Sequence, residues 1–209
     1  ELGEEYIRSV ENIMDVEKRF SNYVEDLRGL KSGAIAIGGT NLFVSYVLPP
    51  LLSRFTEQYH FIHVNLVEAT TAQLEERLFS GFLDLLIDNQ SVDASIYEKT
   101  FFCEEHLLLA VPSHFPSNER LKGYALSLSD VKNGRHLESS VPPGPLEAFR
   151  EDAFLLLKSG NDTKARAEKL CRDCGHFAPR IKLEPEQQIT AYNLSRYGMG
   201  ISFNGDILI

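Results

Sequence analysis

Along the first thirty residues, apolar side chains recur at a spacing near 3.5: Tyr6, Val10, Ile13, Phe20, Val24 and Leu27, with Glu17 breaking the row. No proline occurs there, and no glycine falls between Gly3 and Gly29. The pattern predicts one long helix from Glu4 to Leu30, whose single apolar stripe has the spacing of a coiled-coil seam. Such a stripe packs either on its own domain or on a second copy. It comes before any core exists to receive it, so we assign it to dimerisation. Gly29 and the pair Ser32-Gly33 end the helix.

Beyond Ser32 the rhythm shortens. Ala34 to Ile37 is a compact apolar run with two β-branched isoleucines, which suits a buried strand. Gly38 and Gly39 remove Cβ where the backbone turns or something approaches closely. Thr40 and Asn41 both favour helix N-caps. Leu42, Phe43, Val47, Leu48, Leu51 and Leu52 then follow helical spacing, predicting a helix to Tyr59. His63–Glu68 alternates and reads as a second strand. Thr71 is a candidate cap for a helix from Ala72 to Ser80, stopped by Gly81, and Leu83–Asp88 is a third strand. Tyr97–Cys103 and Leu107–Val111 look like two more strands, ending at Pro112.

Ser113 to Pro145 is rich in Pro, Gly, Ser and Asn and reads as loop and crossing. A second cycle follows: strand Phe154–Leu157, turn Ser159–Thr163, helix Lys164–Cys174, strand Arg180–Leu183, helix Pro185–Arg196 and strand Gly198–Phe203. Strands alternating with helices imply right-handed crossovers and a parallel sheet covered on both faces. Ligands on such sheets sit beyond the carboxyl ends of the strands. Thr40, Asn41 and Thr71 fall on one such rim. Helix N-termini at these ends suit a carboxylate or other anion. Two similar lobes imply a cleft between them.

The 209 residues are 43% hydrophobic and 24% charged, an ordinary globular balance. The net charge of -9 excludes extensive direct contact with DNA, which calls for a basic surface. No apolar run approaches the roughly 18 residues of a membrane span, and the acidic start Glu1-Leu2-Gly3-Glu4-Glu5 is no signal peptide. Three cysteines argue for a reducing cytosol rather than a disulfide framework.

Candidate catalytic and metal chemistry is thin. Cys171-x-x-Cys174, followed by His176, has no second CxxC and lies at a helix end, so its thiols read as structural. Cys103 reads as core or pocket wall. His106 and His114 flank a strand and read as surface or supporting groups. There is no nucleophile elbow, no paired catalytic carboxylates and no phosphate-binding glycine loop. Gly198-x-Gly200 precedes a strand, not a helix. The expectation is therefore no enzyme, no cofactor and no metal.

Several motifs recur in a telling order: Leu2-Gly-Glu-Glu-Tyr-Ile, Gly33-x-Ile-x-Ile-Gly, Leu48-Pro49, Phe55-x-x-x-Tyr59 and Val64-x-Leu-x-Glu68. Leu74, Gly81-x-Leu-Asp84, Glu104-x-His-Leu-Leu-Leu-Ala-Val-Pro112, His114-Phe-Pro116, Pro179-x-Ile181 and Gly198-Met-Gly-Ile-Ser202 continue it. Together they resemble the LysR-type transcriptional regulators, from the linker helix through the effector-binding region. The resemblance implies a two-lobed α/β fold like that of periplasmic binding proteins, with mostly parallel sheets. Its parts are a linker helix over 1–31, lobe I over 32–112, and the crossing with lobe II over 113–209.

It implies a small, anionic or polar effector held by Thr40, Asn41, Leu42, Thr71, Ser159, Gly160, Asn161, Ser202 and Phe203. It also implies a cytoplasmic homodimer or homotetramer, with the helix Leu42–Tyr59 meeting Lys164–Cys174 of another subunit. DNA would be contacted through a winged helix-turn-helix that this chain lacks. The family also continues past the last strand and returns to lobe I; a lobe I without that return would leave apolar surface exposed unless another chain covers it. The rival is a solute-binding protein for transport, which predicts an export signal and no leading coiled coil.

Overall fold

A computed structural model describes residues 2–26, 33–89 and 93–208. The chain divides into two compact units, residues 1–90 and 91–209.

Unit 1 opens with helix α1 (Leu2–Asp26). Tyr6, Ile13 and Phe20 are 72%, 64% and 69% exposed, while Asp15 is buried and bonded to Arg19 at 2.8 Å. That pair lies over Gly81, where a Cβ would strike both side chains. Lys18 adds an ion pair to Asp84 at 3.6 Å. The helix thus rests on its unit through polar groups and leaves most of its apolar stripe uncovered. Leu27, assigned to the same stripe, lies outside the described residues.

A three-stranded parallel sheet follows, in the order β2 (Ile62–Glu68), β1 (Gly33–Gly39), β3 (Leu85–Ile87). Its core is Ala36, Leu74 and Leu83, with Val67, Ala69, Leu78 and Leu86 around them. Gly38 is required by packing: a Cβ there would lie 2.5 Å from Leu83 Cδ1 and 2.8 Å from Leu74 Cδ2. Asp84 takes the Ala36 N–H at 2.7 Å and returns its own N–H to the Ala36 carbonyl at 2.9 Å, extending the ladder.

The helix after β1 is not uniform. It starts at Asn41, passes through a π-helical turn at Phe43–Val47, and continues as α2 (Leu48–Gln58). Pro49 and Pro50 have no N–H to give the carbonyls four residues back, and the Leu48 N–H reaches Phe43 O instead. Helix α3 (Thr71–Phe79) completes the unit.

Unit 2 holds a four-stranded sheet in the order β4 (Leu107–Ala110), β7 (Ile201–Gly205), β5 (Ala153–Leu155), β6 (Arg180–Leu183). β5, β6 and β7 run parallel, and β4 is antiparallel to β7. Between β4 and β5 stand several short 3-10 turns and a short helix, α4 (Leu128–Lys132). One core joins Leu121, Phe149, Phe154, Leu156, Ala167, Cys171, Ile201 and Phe203, on one face of the sheet and under α5 (Asp162–Asp173). Each large side chain buried there contributes about 1.5–3 kcal/mol. The other face of β7 carries Ser202 and Asn204, and α6 (Gln188–Arg196) bonds to the end of this strand through Gln188.

Four expectations change. Leu107–Ala110, read as the end of lobe I, belongs to the second sheet, because Leu109 packs against the second core and Leu107 pairs with Gly205. Tyr97–Cys103 forms no strand; Phe101 and Phe102 are 74% and 55% exposed. Thr70, not Thr71, is the N-cap of α3. Helix α6 begins at Gln188 rather than Pro185, whose carbonyl instead accepts the Lys158 N–H at 3.1 Å.

Candidate functional site

In unit 1 the rim is built at the carboxyl ends of the three strands. β1 and β2 end in register at Gly39 and Glu68, and β1 meets β3 at Gly39 and Ile87. The next residues are therefore adjacent by construction. Thr40 precedes the first helical residue, and its carbonyl accepts the Val44 N–H at 3.0 Å, the position of an N-cap. The Asn41 amide donates to Glu68 Oε1 at 3.1 Å.

At α3, Thr70 gives both its N–H and its hydroxyl to Gln73 Oε1, at 3.2 and 3.1 Å. With capping handled one residue earlier, the Thr71 hydroxyl is turned elsewhere and donates to Asp88 Oδ2 at 2.7 Å. Leu42 is 8% exposed and serves as packing.

Glu68 and Asp88 are strand ends in the sequence reading, not site residues. Each stands at the carboxyl end of its strand, so the rim rule itself points to both. They make this rim acidic as well as polar.

In unit 2 the corresponding end of the sheet gathers Ser159, Gly160 and Asn161. Gly160 has φ +88°, a conformation that favours glycine. Asn161 caps α5, its Oδ1 accepting the Thr163 N–H at 2.9 Å. Gln188 then ties three elements together. Its amide donates to Thr163 Oγ1 at 2.5 Å, and its carbonyl accepts the Gly205 N–H at 3.2 Å. Nothing in the sequence marks Gln188; only the approach of α6 to the end of β7 gives it this role.

Ser202 is fully buried, and its hydroxyl accepts from the Asn204 amide at 2.9 Å. Phe203 points to the opposite face, stacked on Phe154 with ring centroids 6.1 Å apart. Strand alternation separates the two residues that the resemblance offered as a pair.

The same end of unit 2 carries further charge. Arg166 bonds the buried Glu105 carboxylate, which occupies the space a Cβ at Gly205 would need. His106 and Asp206 face each other across β4 and β7. The His106 N–H donates to Asp206 Oδ1 at 3.1 Å, and the Asp206 N–H donates to the His106 carbonyl at 2.9 Å. Partial burial pushes the Asp206 carboxyl up, but hydrogen bonds from His136 and His106 outweigh it and hold the group below its ordinary value.

Cys103, read as core or pocket wall, is exposed. Cys171 is buried in the second core, and Cys174 is exposed.

These α/β units, with polar side chains at the carboxyl ends of mostly parallel strands, define a small-molecule-binding domain. The LysR substrate binding domain family matches residues 28–208, and the chain belongs to that family. Residues 28–208 are its LysR-type substrate-binding, or effector-binding, domain. A relative, the uncharacterized HTH-type transcriptional regulator YcgK of Bacillus subtilis (strain 168), is 25% identical over 93% of this chain and 60% of its own. The chain thus spans about 60% of the length of that relative.

Solved structures show the same fold. Full-length CbnR, complexed with its target DNA, aligns with 99% of this chain and 65% of its own, at 17% identity and TM-score 0.68. The CcmR regulatory domain of Synechocystis PCC6803, in complex with 2-PG, covers 85% of this chain and 74% of its own, at 20% identity and TM-score 0.64. Among the described residues, no helix is long and apolar enough to cross a membrane.

Proposed function

We propose that this region senses a small polar or anionic effector through residues at the carboxyl ends of its two sheets, and passes that occupancy to a DNA-binding domain through α1. The observation that carries the reading is the freeing of Thr71 from capping. Its hydroxyl and the Asn41 amide both lie at the carboxyl ends of this sheet's strands, each bonded to a carboxylate. An effector that takes these donors as an acceptor must also satisfy or displace Glu68 and Asp88, so it carries hydroxyl or amino donors of its own. A purely anionic group is disfavoured at this acidic rim, whereas the Asn161-capped start of α5 suits one.

The sensor shifts an equilibrium only by the effector's differential affinity for two states, about 1–3 kcal/mol in typical cases. In this reading it performs no chemistry. The exposed stripe of α1 supports a homodimer, and the whole regulator would contact DNA as the CbnR relative does.

The test begins with thermal shift over small carboxylates and phosphates, starting with 2-PG, since a ligand confined to the native state raises apparent stability. The best binder then goes to calorimetry against the double variant Asn41→Ala/Thr71→Ala. A loss of affinity of about tenfold or more, with the fold intact by circular dichroism, is expected from two lost hydrogen bonds. Unchanged affinity overturns this assignment of the site.

A further inference from the structure

Three side chains from three separate segments of unit 2 converge at the end of its sheet. His106 Nδ1 lies 3.2 Å from Asp206 Oδ2, and His136 Nε2 lies 3.0 Å from the same oxygen. One donor atom from each residue falls within 4.8 Å of the other two. The imidazole rings meet edge to face, with centroids 6.1 Å apart. His136 and Asp206 are 8% and 12% exposed, while His106 is open to solvent at 44%. We infer that His106, His136 and Asp206 form a binding site for a divalent transition metal of the zinc type.

The chemistry and the geometry agree. Two imidazoles and one carboxylate are a donor set suited to zinc, with a fourth position left for water. Bonds of about 2.0–2.1 Å put the ligand atoms of a tetrahedral ion about 3.3 Å apart, close to the two distances seen. The carboxylate is already oriented, because Asp206 Oδ1 accepts the His106 backbone N–H at 3.1 Å and leaves Oδ2 to the two rings.

Each histidine coordinates as its neutral tautomer, with the ring proton on the nitrogen away from the ion. For His106 that proton sits on Nε2, at the solvent-exposed edge of the ring with Glu104 Oε2 3.8 Å away. For His136 it sits on Nδ1, which is buried and has no hydrogen-bond partner among the described residues. Without an ion His136 Nε2 carries the proton that Asp206 Oδ2 accepts, so binding an ion moves that proton to Nδ1.

The exposed edge at His106 provides the entry path. A bound ion ties the turn Arg135–Leu137 to Asp206, just past the end of β7 and two residues beyond Asn204. The site lies wholly within unit 2 and does not depend on the effector reading.

The test titrates the purified chain with Co2+ and then Zn2+. We expect one Co2+ per chain, visible as ligand-field absorption, displaced by Zn2+ and removed by a chelator. Zn2+ should also raise the melting temperature. His136→Ala and, separately, Asp206→Asn should each weaken binding about tenfold or more and abolish the thermal shift. His63→Ala, on β2 of the other unit, should bind as the parent does. Asp206→Asn keeps size and backbone contacts, so it remains informative if His136→Ala fails to fold. Absence of saturable binding at one ion per chain overturns the proposal, as does binding that survives both variants undiminished or is lost in His63→Ala.

Discussion

The Thr71 hydroxyl donates to Asp88 Oδ2 at 2.7 Å, joining the first helical residue of α3 to the residue just past β3. The contact exists because Thr70 and Gln73 manage the helix start between themselves. Removing the hydroxyl withdraws a charge-assisted donor from a half-buried carboxylate. Thr71→Val should cost about 1–2 kcal/mol in urea unfolding, and Thr71→Ser should restore most of it.

Gly38 sits where Leu83 and Leu74 press on the strand. Gly38→Ala forces a Cβ into occupied space, and overpacking of this kind costs about 1–3 kcal/mol. Combining it with Leu83→Val makes room, so the double variant should lose less than the sum of the two singles. Additivity in a double-mutant cycle would show that the clash is relieved elsewhere.

Gln188 spans the start of α5 and the end of β7. Gln188→Leu keeps much of the volume but leaves the buried Gly205 N–H without an acceptor. A destabilisation of about 1–3 kcal/mol in denaturant titration is expected. Gln188→Glu should keep the acceptor and lose only the donor to Thr163.

Burial, with Glu168 adding to it, pushes the Cys171 thiol up to about 11 from an ordinary 9.0. A thiol raised in the folded state keeps its full stability below pH 9 and loses it as pH climbs through about 11, because the unfolded chain ionises first. Cys171→Ala should flatten the stability profile over that window. At pH 8, iodoacetamide should label exposed Cys174 well before Cys171, read by mass spectrometry.

Phe20 is 69% exposed on α1, and Val10 lies on the same stripe, partly buried. If a second copy covers this face, Val10→Lys with Phe20→Glu should shift sedimentation from dimer toward monomer at fixed concentration. An unchanged dimer would move the interface elsewhere on the chain.

Much of the fold was legible before any coordinates. Ala34–Ile37, His63–Glu68 and Arg180–Leu183 announce strands because apolar alternation and β-branching are local properties. Asn161 is recognisable as a cap for the same reason, since its partner, the Thr163 N–H, is two residues away. The rim holding Thr40, Asn41 and Thr71 follows from strand–helix alternation alone. The order of motifs over the chain carried the family.

Tertiary structure decided what sequence distance hides. Leu107–Ala110 reads as a strand, but only the second core, through Leu109, selects its sheet. Phe203 and Ser202 are neighbours in sequence, yet the pleat sends them to opposite faces. His106, His136 and Asp206 are separated by tens of residues, so no spacing announces them; the pairing of β4 with β7 and one 3-10 turn bring them together. Local chemistry sets which elements form. Which side chains meet is set by burial and register, energies that exist only once distant segments have closed on one another.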